Sequence, residues 1–270
     1  MIESIPDRNE ILAFAVQLSK DAGLIVKEAR RNDELDVGYK DQIELVTSAD
    51  IAVDEFICSS LKAKYPGHFI LSEESSPGSA ESEILEGPTW IIDPIDGTVN
   101  FAYNQPQVAI SIAFSFGGVV EVGIVHCPFL GETFSAIRGG GAYLNGEKIK
   151  TKCCEELERA LVATGFPYQR ESRSAVVERL SRVLSTCRDI RRCGAAAIDI
   201  CWVGMGRIDA YYETVQAWDL AAGCLVAREA GARVGHLSSV PEGVFSDLWG
   251  KDLVVASPAI YDDLCDVLTG

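Results

Sequence analysis

Apolar residues first recur with a helical period: Ile11, Ala15, Leu18, Ala22, Ile25 and Ala29 follow one another at spacings of four and three. Asp7 and Glu10 ahead of them form a helix-start signal, so the pattern predicts an amphipathic helix ending near Arg31. Residues 32–45 (NDELDVGYKDQIEL) are polar and aperiodic, which reads as a loop or mobile hairpin carrying Lys40. Thr47 and Asp50 repeat the start signal. Val53, Phe56, Ile57 and Leu61 give a second helix its buried face, and Pro66-Gly67 stops it.

The period then shortens to that of strands. Phe69 to Ser72 and Thr89 to Asp93 are short apolar runs on either side of a Ser/Gly/Glu loop from Glu73 to Gly87. Val108, Ile110, Ile112, Phe114 and Phe116 alternate with small residues before Gly117-Gly118 turns the chain back, which predicts a hairpin with one face closely covered. Gly139 to Gly141 and Asn145-Gly146 mark turns. The charged stretch from Lys148 to Arg159 is the expected boundary between an N-terminal α+β domain (1–150) and a C-terminal α/β domain (151–270). Within the second, strand-like ALVATG, a helix over Ser174 to Cys187, IRRCG, a helix over Ala195 to Val203, RIDAYYE, a helix over Leu220 to Ala230 and DLVVAS alternate.

Composition narrows the function. With 270 residues, 47% of them hydrophobic, the chain can fill one large core or two smaller ones. A net charge of −16 argues against nucleic acid as a partner. No run approaches the roughly 18 apolar residues of a membrane span, and the first residues lack the basic and apolar segments of a secretory signal. Nine scattered cysteines without metal-ligand spacing fit a reduced, cytoplasmic protein.

Against that background WIIDPIDGT stands out, because an apolar run leads straight into Asp93 and Asp96. Carboxylates near an apolar strand end cost free energy unless something neutralises them. Pro94 should end the strand at Asp93 and turn the chain. Gly97 permits close approach to the backbone, and Thr98 offers a hydroxyl and an amide where a helical turn can begin. Glu74 follows the Phe69 to Leu71 run, and Asp219 opens a helix just after Trp218. If these ends converge, Glu74, Asp93, Asp96 and Asp219 make an all-oxygen site suited to Mg²⁺ or Mn²⁺. Each residue also has a plainer reading: Asp96-Gly97 as a turn, Asp219 and Asp50 as helix caps, Glu74 and Lys40 as surface charges.

The segments Asp93-Pro94-Ile95-Asp96-Gly97-Thr98 and Trp218-Asp219-Leu220-Ala221-Ala222-Gly223 strongly resemble the two signatures of the inositol monophosphatase family of metal-dependent phosphatases. Val46 to Asp50, Glu73-Glu74-Ser75, Gly194 to Ala197 and Asp209 to Glu213 match in the same order. The resemblance implies a sugar-phosphatase fold, a layered αβαβα sandwich, usually a homodimer. It implies that Glu74, Asp93 and the carbonyl of Ile95 hold one Mg²⁺, that Asp93, Asp96 and Asp219 hold another, and that a weaker third leans on Glu74. The amides of Gly97 and Thr98 would bind phosphate, and Thr98 with Asp50 would activate water. Asp96, Gly194, Ala195, Ala196, Glu213 and Asp219 would face the substrate, with Lys40 on a mobile loop nearby.

The implied activity is lithium-sensitive hydrolysis of myo-inositol monophosphate. Related families act on fructose 1,6-bisphosphate, 3′-phosphoadenosine phosphates, histidinol phosphate or NADP, and some bacterial relatives associate with transcription machinery, which keeps a regulatory binding protein as the reading from another class. Gln216 stands where a His is common, a departure expected to alter the pocket wall rather than the metal core. The Gly-rich segments lack the spacing of a nucleotide-binding fingerprint.

Overall fold

Two apolar periods, helical and then alternating, build a stack of layers in the computed structural model, which describes residues 7–31, 37–40, 44–75, 86–166 and 173–270. Helix α1 (Arg8–Arg31) starts where the Asp7 carboxylate accepts the Asn9 amide at 2.9 Å. It buries Ile11, Ala15, Leu18, Ala22 and Val26, with Ile25 and Ala29 at the rim of the stripe. Strands β1 (Val37–Lys40) and β2 (Glu44–Thr47) pair as an antiparallel hairpin. Helix α2 (Ser48–Lys64) begins with the expected Thr47–Asp50 capping box and ends ahead of Pro66.

The larger sheet has seven strands in chain order: β3 (Phe69–Ser72), β4 (Thr89–Asp96), β5 (Ala109–Phe116), β6 (Val119–Cys127), β7 (Glu132–Ile137), β8 (Gly141–Leu144) and β9 (Glu147–Lys148). β3 and β4 are parallel; the other pairs are antiparallel. Helix α3 (Thr98–Ala102) leaves the end of β4. Alternation along β5 sorts the two faces of the sheet. Ile110, Ile112 and Phe114 join Trp90 and Ile92 under α1 and α2, while Ala109 and Ala113 meet helices α5 (Ala196–Gly204) and α6 (Ala217–Glu229). The small residues let α6 lie close: a Cβ on Gly123 would stand 2.7 Å from the carbonyl oxygen of Ala222.

The second sheet contains β10 (Leu161–Thr164), β11 (Asp189–Arg191), β12 (Ala210–Glu213), β13 (Arg233–His236) and β14 (Leu253–Ala256), in the order β11-β10-β12-β14-β13. One face presents Ala163, Tyr211 and Val255 to Ile200, Leu220 and Cys224 of α5 and α6. The other packs Val162, Ala210 and Val254 on Val183 of α4 (Arg173–Thr186) and on Leu264 and Leu268 of α7 (Tyr261–Thr269). The layers therefore run α1/α2, seven strands, α5/α6, five strands, α4/α7. This is the expected αβαβα sandwich.

One expectation needs correction: β4 does not stop at Asp93. Asp93 pairs with Ser111 and Asp96 with Ala109, so β4 carries one extra residue, and Pro94, which has no amide to donate, sits in the resulting bulge. Among the described residues no helix is long and apolar enough to cross a membrane.

Candidate active site

The bulge explains how two aspartates three positions apart reach one side of the sheet. On a regular strand they would point to opposite faces. Ile91 belongs to the α5/α6 side and Ile92 to the α1/α2 side, but Ile95 is also on the α1/α2 side. Alternation is thus reversed between Asp93 and Ile95, and Asp96 returns to the side that Asp93 occupies.

Asp96 sits at the start of α5, accepting the amides of Ala196 at 3.1 Å and Ala197 at 2.8 Å. Asp93 accepts the Ile95 amide at 3.0 Å. Asp219 lies in the first turn of α6, where its carboxylate accepts the Gln216 amide at 2.7 Å in a capping box. Its role as a cap and its place in the cluster are both real. One oxygen each from Asp93, Asp96 and Asp219 lie within 4.8 Å of one another.

The loop acid on this cluster is Glu73. The parallel register that sets Ser72 beside Ile92 continues one step, with the Glu73 amide donating to the Ile92 carbonyl at 3.2 Å, so Glu73 falls abreast of Asp93. The two carboxyl groups are hydrogen-bonded. The sequence expectation of Glu74 is therefore displaced by one residue: adjacent acids could not be told apart without the pairing of β3 with β4.

Burial is the largest cause that pushes all three aspartates up, Asp93 far above the usual carboxylate range, Asp96 to about 7 and Asp219 to about 8. The charges acting on Asp93 are all negative: Glu73, Asp96 and Asp219. An enclosed group of acids that oppose one another and offer only oxygen is suited to a hard divalent cation, which would remove both the burial and the repulsion penalties. The residues present fit such an ion.

Thr98 opens α3 after Gly97, whose φ of +94° and tight surroundings demand glycine; a Cβ there would be 2.7 Å from the Gln107 carbonyl oxygen and 3.2 Å from that of Gly194. The Thr98 hydroxyl lies 3.1 Å from Asp50 Oδ1 and 3.2 Å from the Ile95 carbonyl oxygen. Asp50 Oδ2 meanwhile accepts the Thr47 amide at 2.8 Å. One carboxylate thus closes the capping box of α2 and engages Thr98.

Asn100 ties α3 to the turn before α5, donating to the Gln107 and Cys193 carbonyls, both at 2.8 Å. That turn brings Gly194 and Ala195 against Gly97. Glu213, at the end of β12, accepts the Tyr211 hydroxyl at 2.6 Å, and its charge acts on Asp219. Lys40 ends β1, and its side chain lies outside the described residues. Gln216 is exposed, and its backbone amide holds Asp219, a contact that does not depend on which side chain stands at this position.

A profile of the inositol monophosphatase family matches residues 7–265. The chain belongs to the inositol monophosphatase family. It is 34% identical over 263 residues to inositol monophosphatase 1 of Solanum lycopersicum, covering 96% of this chain and 94% of that one. It is 36% identical over 260 residues to the Nus factor SuhB of Pasteurella multocida, covering 95% and 94%. The crystal structure of the extragenic suppressor protein suhB from Bartonella henselae superposes with a TM-score of 0.86 at 30% identity, covering 96% of this chain and 98% of that one. The family is one of metal-dependent phosphatases, which act on phosphoric monoesters, and the acid cluster described above is where this member could bind metal.

Proposed function

We propose that this chain hydrolyses myo-inositol monophosphate and related polyol phosphates with Mg²⁺, and works as a cytoplasmic homodimer. The observation that carries the reading is the convergence of Glu73, Asp93, Asp96 and Asp219 beside the Thr98–Asp50 pair, in a chain of this family.

Glu73, Asp93 and the Ile95 carbonyl would hold one ion, and Asp93, Asp96 and Asp219 another. Bound divalent cations supply charge neutralisation for the ester dianion and acidify coordinated water. The chain's own residues do the rest. The amides of Gly97 and Thr98, at the start of α3, bind phosphate oxygens that the acidic surface would otherwise repel. Thr98 Oγ1 orients the attacking water, and Asp50 Oδ1, hydrogen-bonded to that hydroxyl, receives the proton. Glu213, Gly194 and Ala195 face the departing alcohol. The seven-stranded sheet on one side and α5 and α6 on the other bury Asp93 and Asp96, while Glu73 and Asp219 are half-buried.

Phosphate release from inositol 1-phosphate, fructose 1,6-bisphosphate, 3′-phosphoadenosine 5′-phosphate, histidinol phosphate and NADP, with Mg²⁺ and with chelator, tests the reading. A Mg²⁺-dependent preference for the inositol ester is the expected result; preference for another ester would replace the substrate and keep the site. Similarity to proteins named Nus factor SuhB favours a second role in macromolecular binding. A cellular phenotype rescued by Asp93→Asn protein would support that role, and failure of rescue would count against it.

A further inference from the structure

Gln216 ties the Asp219 carboxylate to its own helix, but that contact does not fix the distance from α6 to the sheet carrying Asp93 and Asp96. Ser111 supplies the missing link. It lies in the middle of β5, is fully buried, and pairs directly with Asp93 across the β4–β5 register. Ala109 and Ala113, on either side of it along the strand, meet α5 and α6, so Ser111 points the same way. Its hydroxyl donates to the Trp218 carbonyl oxygen at 2.9 Å, one residue before Asp219. The Asp219 and Asp93 carboxyl groups are hydrogen-bonded to each other. Contacts therefore run in a closed circuit from Asp93 across the strand pair to Ser111, on to Trp218 and back through Asp219.

Two features separate this contact from an ordinary buried serine bond. Trp218 belongs to the first turn of α6, where its carbonyl already has a partner amide within the helix, so the serine is not needed to satisfy it. Trp218 also lies one helical turn before Ala222, whose carbonyl oxygen would stand 2.7 Å from a Cβ on Gly123. Glycine at that point sets how near α6 can come, and the Ser111 hydroxyl draws in the end of the helix that bears Asp219. Ser115 offers the contrast. It is equally buried on the same strand, yet its hydroxyl reaches the Thr89 carbonyl at 3.5 Å, at the far end of β4 from the acids.

We propose that Ser111 is a positioning residue for the ion site that includes Asp219: its hydroxyl holds the first turn of α6 at the distance from β4 at which Asp219, Asp93 and Asp96 share one divalent cation. This rests on the metal-dependent phosphatase reading and goes beyond it by naming what couples the ligands of the sheet to the ligand of the middle layer. Groups that orient a metal ligand from behind typically change metal affinity by roughly 10–100-fold when they are removed.

Ser111→Ala removes the donor, and Ser115→Ala removes a serine hydroxyl of equal burial away from the acids. Mn²⁺ binding to each protein, read from the electron paramagnetic resonance signal of the free ion, requires no turnover. Wild type should show two classes of site; in Ser111→Ala one should weaken by about 10-fold or more, while Ser115→Ala keeps both. Hydrolysis of p-nitrophenyl phosphate should shift in parallel, with half-saturating Mg²⁺ raised by a similar factor and kcat restored at saturating Mg²⁺, a split that general loosening of the fold would not give. Ser111→Cys, close in size and a weak donor, should fall between wild type and Ser111→Ala. Unchanged Mn²⁺ binding in Ser111→Ala, or an equal loss in Ser115→Ala, overturns the inference and leaves the phosphatase standing, whereas wild-type protein that binds no Mn²⁺ would sink both.

Discussion

Asp93→Asn should make the metal-free protein more stable while nearly abolishing turnover. Two unit charges 4.8 Å apart at an effective dielectric of about 20 repel by about 3.5 kcal/mol. Asp93 keeps its proton well above the usual carboxylate range, so the gain is small at neutral pH and grows as pH rises, towards about 2 kcal/mol or roughly 5 °C in melting temperature for a chain of this size. The assay is thermal unfolding in chelator and in excess Mg²⁺. In chelator the variant should melt above the wild type; with Mg²⁺ the wild type should rise and the variant gain much less. The pH dependence gives a second handle. Carboxyl groups raised in the folded state keep protons that the unfolded chain releases. Their stabilising contribution is complete below about pH 4 and is lost as pH rises through the folded values near 7 and 8 for Asp96 and Asp219. The metal-free wild type should therefore weaken between about pH 5 and 8, and the variant less steeply. A variant that melts below the wild type in chelator, or that gains equally from Mg²⁺, would refute the charge argument.

Three further outcomes follow from local geometry. Gly97→Ala must hold a Cβ at φ +94° and 2.7 Å from the Gln107 carbonyl oxygen, so stability should fall by about 1–3 kcal/mol and phosphate release should drop as Thr98 shifts; an unaffected enzyme would contradict the tight turn. His126 is lowered to about 4 by burial and then by Lys27 and Lys20, and its ring lies 2.9 Å from the Thr133 hydroxyl. The unfolded chain takes up its proton first, so about 3 kcal/mol present above pH 6.5 should be lost as pH falls towards 4. The difference in unfolding free energy between wild type and His126→Asn across that range isolates the effect, and a flat difference would disprove it. Glu213→Gln should raise KM for inositol 1-phosphate more than for p-nitrophenyl phosphate, and equal changes would remove Glu213 from the alcohol side.

Helices α1 and α2 and the β5–β6 hairpin were legible because one face of each is buried against a single partner, leaving a clear period with caps or turns at the ends. Helix α6 was legible only in outline: it is covered on both sides, so its sequence has no polar face to mark its start, and its first turn precedes the expected Leu220. Strands β7 and β13 and the terminal helix α7 had no matching expectation, as they lie near turns or chain ends with weaker punctuation. At the site, Asp93, Asp96, Thr98 and Asp219 sit in motifs that could be read directly. Glu73 over Glu74 depended on strand register, which only the pairing of β3 with β4 supplies.

The layered stack has a consequence for how the protein is made. Glu73, Asp93 and Asp96 emerge with the first half of the chain, but Asp219 comes from α6, which occupies the space between the two sheets. A nascent chain can complete much of its larger sheet and still lack the fourth acid and the α5 amides that hold Asp96. Tight metal capture would then be a late event that fastens the middle layer to the first sheet, making ion uptake during refolding a clock for the docking of that layer.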